Sequence, residues 1–310
     1  MRDSRGSIIE GLNKVDAGMF YLVPGFNTAN MPICRQCGSA APDNARFCPF
    51  CGAQLRLQQE EPSFVDDKGD VEAQLIALFF DALKKEAAAT FPGISFQVLS
   101  EKLYASGFRD MLHRRLNQVA EQIREKKEAW TSRPAAQKSH LNWLFDELID
   151  YFFIRYANDL LPFTLPQAVL KYQQYTLPAI DRYTLVMDYL DWQGEEETVY
   201  TDFLVMPVDH LKNAGRYFLF PEKNERIYFI CDQSILGGCT EGFAMTERGL
   251  YWKAPLAKAK RCLFAEFNTL ELSKEWLTIN DSFFNAGPTL NYKVYKLMNK
   301  MYQLIHLVSS

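Results

Sequence analysis

The chain has 310 residues, of which 48% are hydrophobic, 14% aromatic and 23% charged. That is enough apolar material for a substantial core and too much for a wholly disordered protein. With 34 Lys/Arg against 38 Asp/Glu the formal net charge is −4, which argues against a strongly basic nucleic-acid binder while leaving room for a local basic face.

No run of about 18 apolar residues occurs, so no transmembrane helix is expected. The nearest candidate, Leu148 to Leu161, is interrupted by Asp150, Arg155 and Asp159. No apolar h-region follows Arg2 and Arg5, so no secretory signal is read and a cytoplasmic location is expected. Residues 1–30 hold one short apolar patch, Met19 to Val23, ahead of Met31-Pro32. They are expected to be a disordered arm or an upstream extension.

The first organised segment, residues 31–57, carries Cys34, Cys37, Cys48 and Cys51 in the pattern Cys-x2-Cys-x10-Cys-x2-Cys. Two intervening residues let a tight turn aim both sulfurs of a pair at one ion. Gly38 and Gly52 follow the second cysteine of each pair, where a residue that tolerates positive φ suits the turn. Two such knuckles complete a tetrahedral shell of four thiolates with no position for water or substrate, which points to one structural Zn2+. Two disulfides would need an oxidising compartment. A redox Cys-x-x-Cys pair would leave the duplicated knuckle unexplained. Ile33 to Leu55, with both Cys-x-x-Cys-Gly knuckles, Pro42 and Phe47 between them, and Cys48-Pro49-Phe50-Cys51-Gly52-Ala53, resembles the short zinc-ribbon domain at the N-terminus of many prokaryotic multidomain proteins. In that family the four cysteines bind zinc, and the resemblance carries this role to the four positions here. It is nearly silent about biological role, since such ribbons decorate unrelated proteins.

Residues 58–70 are polar and acidic, contain Pro62 and Gly69, and read as a linker. Residues 71–192 follow a helical period. Leu75, Leu78, Phe79, Ala82 and Leu83 form one stripe, stopped at Phe91-Pro92-Gly93. Phe108, Leu112, Leu116, Val119 and Ile123 form a second, and Leu141, Leu144, Phe145, Leu148, Phe152 and Tyr156 a third, so an α-helical domain is expected. Pro166 and Pro178 could each open a further short helix.

Charge is segregated here. Residues 101–140 hold nine Lys/Arg against five Asp/Glu, and residues 141–210 hold three against twelve. The basic side chains Arg109, Arg114, Arg115, Arg124, Lys126 and Lys127 offer a face for an acidic partner or nucleic acid. A solvated face pairing partly with Glu195, Glu196 and Glu197 is the favoured reading, because Glu121 and Glu125 interrupt the basic run.

Residues 193–212 read as a connecting segment with a strand rhythm at Val199, Thr201, Phe203 and Val205. Short β segments are then expected at Tyr217 to Phe220, Arg226 to Cys231, Gly242 to Thr246, Leu250 to Lys253, Arg261 to Phe267, Leu270 to Leu272 and Trp276 to Ile279. A tight hairpin turn is expected at Thr246-Glu247-Arg248-Gly249, with Gly249 suited to a left-handed position. Leu290, Val294, Leu297, Met301, Leu304 and Val308 predict a terminal amphipathic helix opened by Pro288.

Residues 213–310, with Ile227-Tyr228-Phe229-Ile230-Cys231-Asp232 and the Gly242-Phe243-Ala244-x-Thr246-x-x-Gly249-x-Tyr251 hairpin, resemble a bacterial pleckstrin-homology-like domain. The resemblance implies an antiparallel β-barrel or sandwich closed by the helix, and binding of peptides, lipids or another copy. The basic cluster of phosphoinositide binders is missing, since Lys253, Lys258, Lys260 and Arg261 are scattered around one loop.

Cys231, Cys239 and Cys262 read as buried and inert, because His113, His140, His210 and His306 lie in no local motif with them. Gly237-Gly238 reads as a loop, without the Lys-Ser/Thr of a phosphate cradle. The expected whole is a multidomain α+β protein: zinc ribbon, helical domain and pleckstrin-homology-like β domain. Its expected function is that of a non-enzymatic adaptor or regulatory protein with a protein partner and self-association through the barrel. Two other readings stay open: nucleic-acid association through Arg35, Arg46, Arg56 and the basic helix face, and an enzyme with its site in the helical domain.

Overall fold

The computed structural model describes residues 65–66, 69–125, 134–173 and 180–307. The four ribbon cysteines, Arg35, Arg46, Arg56, Lys126, Lys127, Pro178 and Val308 lie outside the described residues. The chain divides into two units, residues 1–61 and 62–310, and the second is described here.

Helix α1 (Val71–Thr90) starts where the Asp70 carboxylate accepts the Ala73 amide at 3.2 Å, satisfying one orphan donor of the first turn. It stops at Phe91, the residue that Pro92 pushes out of helical geometry. Val71, Leu75, Phe79, Leu83 and Ala87 make its buried stripe. The second stripe is α3 (Phe108–Glu125). The third is α4 (Pro134–Tyr156), whose Phe152 carbonyl accepts the Ala157 amide at 3.1 Å as the helix ends. Between the first two lies α2 (Phe96–Ala105), which the sequence reading passed over: it buries only Leu99 and Leu103 and leaves Val98 and Tyr104 exposed. Pro166 precedes a 3-10 turn, η1 (Gln167–Tyr172), rather than an α-helix. Helix α5 (Arg182–Leu190) is capped by Asp181, which accepts the Thr184 amide at 3.1 Å.

The strands are β1 (Thr198–Tyr200), β2 (Ile227–Asp232), β3 (Gly242–Thr246), β4 (Gly249–Lys253), β5 (Lys260–Leu263), β6 (Leu270–Leu272), β7 (Leu277–Ile279) and β8 (Ser282–Phe284). They form two antiparallel sheets, β1-β2-β3-β4-β5 and β6-β7-β8, and do not close into the expected barrel. The ladder breaks after β5 because the chain turns into the 3-10 segment Phe264–Glu266. The sheets meet through Phe243, Trp252 and Phe284, whose rings lie 5.3 and 5.9 Å apart, and Trp252 Nε1 donates to the Phe283 carbonyl at 2.7 Å.

Both faces of the larger sheet are covered. Phe229, Cys231, Phe243, Met245, Leu250 and Trp252 face the main core, while Ile230, Ala244 and Tyr251 alternate onto a second, smaller core. That double burial is why these strands read as nearly continuous apolar runs. The second core is completed by Ala214 and Phe218 at helix α6 (Val208–Tyr217), with Met206 and Leu219.

Several local expectations are corrected. The strand rhythm of residues 199–205 ends at Tyr200, because Asp202 folds back to accept the Leu204 amide at 2.9 Å, an Asx-type turn. The expected strand at Tyr217 to Phe220 is instead the end of α6, where the Phe218 and Leu219 amides both donate to the Ala214 carbonyl. The hairpin at Thr246 to Gly249 forms, but Gly249 does not have positive φ. Met245 pairs with Leu250, leaving a four-residue connection that does not demand left-handed residues. Gly249 is needed for space, since a Cβ there would sit 2.4 Å from the Cys262 carbonyl oxygen. The left-handed hairpin turn is Asn280-Asp281, with φ of 45° and 62°, joining β7 to β8, a strand not foreseen. The expected boundary between residues 212 and 213 falls inside α6.

Helix α7 (Pro288–Leu307) opens at Pro288 as expected, but it does more than close a sheet. Its apolar residues belong to the same core as those of α1, α3 and α4, and Lys293, Lys296 and Lys300 are each only 6% exposed. Lys293 Nζ donates to the Leu190 carbonyl at 2.7 Å and to Glu195 at 2.6 Å. Lys296 lies 2.9 Å from both Glu86 and Asp150, and Lys300 lies 2.9 Å from Glu147. The acidic excess of residues 141–210 is thus answered by the C-terminal helix, with Glu195 bound to Lys293 rather than to the basic run of α3. Lys296→Met leaves two buried carboxylates without their cation and should cost about 3–5 kcal/mol in urea unfolding. Adding Glu86→Gln and Asp150→Asn should recover most of that loss, and equal stability of the single and triple variants would refute the role of the cation.

Candidate functional site

Helices α3 and α4 converge with the end of η1 on a groove of about 450 Å³. Its polar lining is Arg114, Arg115 and Gln118 from α3, Glu147 and Tyr151 from α4, and Gln173, over a floor that includes Leu144 and Leu148. Gln173 Nε2 donates to the Glu147 carbonyl at 3.0 Å, joining η1 to α4. Arg114 Nε donates to the Asp110 carbonyl at 3.3 Å. Burial pushes the Glu147 carboxyl up, opposed by Lys300 and then Arg115. Among the described lining residues there is no Ser, Cys or His. The arrangement can hold an anionic group against an apolar floor; it presents no activated nucleophile.

The basic face is largely at the surface: Arg109, Arg114 and Arg124 are exposed and Arg115 is half-buried. The Arg109 guanidinium lies 5.2 Å from the Tyr104 ring centre, and His113 Nδ1 lies 3.3 Å from a Glu72 carboxylate oxygen. Arg114 and Arg115 belong to the groove.

Cys231, Cys239 and Cys262 are buried and free. Burial pushes the Cys239 thiol up to about 12 and that of Cys262 to about 11, and raises Cys231 further. Burial thus disfavours the thiolate form of all three in the absence of a metal ion. Gly237-Gly238 lies in the loop between β2 and β3.

The perturbed carboxylates cluster on α4 around Lys296. Burial alone would lower the Lys296 ammonium, but Asp150 and Glu86 reverse this and hold it well above its ordinary value. Burial raises Asp146 to about 7 and Asp150 to about 6, both against the pull of Lys296. No local motif marks these groups. The available signal was the spacing of Lys293, Lys296 and Lys300 along an otherwise apolar helix, opposite an acid-rich stretch.

The comparisons with known proteins bear on the N-terminal unit. The zinc-ribbon domain family matches residues 33–55, a span that includes all four clustered cysteines, so the chain carries a zinc-ribbon domain there, which supports metal binding. No curated protein and no solved structure matches the chain. Among the described residues no helix is long and apolar enough to cross a membrane.

The carboxylate cluster generates a pH dependence. A carboxyl raised from an ordinary value of 3.8 to about 7 keeps a proton in the folded state that the unfolded chain releases. Its contribution to stability therefore falls as pH rises from about 4 to about 7 and is level above that. Asp146→Asn should remove this loss, so the variant's advantage over wild type should grow across that window to about 4 kcal/mol. Thermal melts at half-unit pH intervals measure it; a pH-independent difference would contradict the assignment.

Proposed function

We propose that this chain is a non-enzymatic adaptor that binds a protein partner. In this reading Cys34, Cys37, Cys48 and Cys51 hold one structural Zn2+. The donor set fits the ion, because four thiolates at paired-knuckle spacing supply a complete tetrahedral shell. Zinc bound there gives the ribbon its folding energy and makes it a docking module. Residues 213–310 act as a pleckstrin-homology-like recognition surface, a reading supported by antiparallel strands in chain order followed by a C-terminal helix.

One observation carries the proposal. In a unit that buries most of its large apolar side chains, Leu204 is 95% exposed, Val205 76%, Ile235 90% and Leu236 97%. Leu204 and Val205 sit on the loop before α6, and Ile235 and Leu236 on the loop between β2 and β3, which Asn213 of α6 holds by donating to the Gly238 carbonyl at 2.8 Å. Adjacent pairs of exposed aliphatics are candidates for an interaction surface. The nucleic-acid reading has weaker support, since Glu121 and Glu125 interrupt the basic run. The groove between α3 and α4 is the feature that would favour an enzyme or small-ligand reading.

Affinity purification from native cells, quantified against two variants, tests the adaptor. Cys34→Ser/Cys37→Ser should lose one equivalent of zinc, and Leu204→Asp/Leu236→Asp should recover a specific wild-type partner at least about tenfold less well. A partner recovered equally by wild type and both variants would overturn the proposal, as would no partner above background.

A further inference from the structure

Three elements remote in sequence bring His210, Asp232 and Cys239 together. His210 lies in the first turn of α6, Asp232 ends β2, and Cys239 sits in the loop that leads to β3. An imidazole nitrogen, a carboxylate oxygen and the Cys239 sulfur all lie within 4.8 Å of one another. We propose that these three side chains form a second metal site, distinct in kind from the ribbon, for a divalent transition-metal ion of the zinc class.

The loop is built to present these donors. Gly237, Gly238 and Cys239 are consecutive residues with φ of 73°, 100° and 56°. The two glycines take such angles freely, but Cys239 does so at a cost of about 1–2 kcal/mol. A cysteine has no side-chain preference for that conformation, so the position is held for something other than local backbone ease. The surrounding bonds hold it there: Asp232 Oδ2 accepts the Gly238 and Cys239 amides at 2.8 and 3.0 Å, and Oδ1 accepts the Ser234 amide at 2.9 Å. Backbone amides thereby use three of about four acceptor positions of the carboxylate. The Tyr200 hydroxyl is hydrogen-bonded to His210 Nδ1 at 2.8 Å, which restricts the orientation of the imidazole.

A metal ion would take the place of the Cys239 thiol proton. The S–H bond breaks, the sulfur–metal bond forms, and the proton leaves to solvent. Thiolate, carboxylate and neutral imidazole together carry two negative charges, which balance a divalent cation and leave no uncompensated buried charge. Tetrahedral bonds of ordinary length place such donors about 3.3–3.7 Å apart, a contraction of up to about 1.1–1.5 Å from the limit of 4.8 Å. With three protein ligands the fourth position stays open to water or an outside ligand, unlike the closed four-thiolate ribbon.

The test uses the full chain with Cys34, Cys37, Cys48 and Cys51 all changed to Ser, so that the ribbon contributes no metal. After chelation, zinc reloading and gel filtration, this variant should retain one equivalent of zinc by elemental analysis. Titration with Co2+ should give a thiolate-to-cobalt charge-transfer band. In the same background Cys239→Ser should abolish that band, and His210→Ala should weaken zinc binding by more than about 100-fold, beyond the loss usual for an outer-shell partner. Circular dichroism without metal checks folding, and His210→Gln serves as the second variant if Ala at 210 fails that check. No zinc retained by the ribbon-free chain, or binding indifferent to both Cys239 and His210, would overturn the site.

Discussion

The arrangement of residues 62–310 depends on three lysines that are buried and paired. Lys293, Lys296 and Lys300 of α7 reach Glu195, then Glu86 and Asp150, then Glu147. These partners come from α1, α4 and the segment after α5. Each ammonium taken from water without its carboxylate would cost several kcal/mol, and each carboxylate left alone as much again. The net gain of such pairs over apolar packing is small, but the penalty for mispairing is large. The four ion pairs therefore act chiefly as a key, disfavouring other rotations and registers of α7 against the helices.

That key explains why the helices and strands share one core. Had α7 been amphipathic in the ordinary way, with its lysines in water, it could have capped the sheets and left the helical array to itself. Buried on its lysine side as well, it is shared by both. Glu147 sits at the consequence, held by Lys300 while its helix lines the groove that carries Arg114 and Arg115. The larger sheet is likewise enclosed, by the smaller sheet on one face and α6 on the other. With both faces covered, the loops before α6 and between β2 and β3 are left to present side chains, whether the exposed aliphatics or the convergent His210, Asp232 and Cys239.

The larger unit has a continuous apolar core. The N-terminal unit carries the zinc-ribbon match at residues 33–55, which supports metal binding.

Local chemistry was legible in the residues themselves. The four-cysteine spacing and the period of Val71 to Thr90, Phe108 to Glu125 and Pro134 to Tyr156 are short-range patterns, set by turn geometry and by which side chains share a helix face. The strands from Ile227 to Lys253 were legible as apolar runs, though not which residue faced which core. What tertiary structure decided is long-range. The ladder after Leu263 stops short of a barrel, Tyr217 to Phe220 ends a helix although its residues suit a strand, and Gly249 is required by a neighbouring carbonyl rather than by its own φ. Lys296 finds Asp150 across 146 positions of sequence, and Cys239 finds His210 only because β2 and α6 share a face. Periodicity records which side of an element avoids water. It does not record which distant charge or ligand meets that side, because that meeting is settled by packing and by the cost of leaving a buried polar group alone.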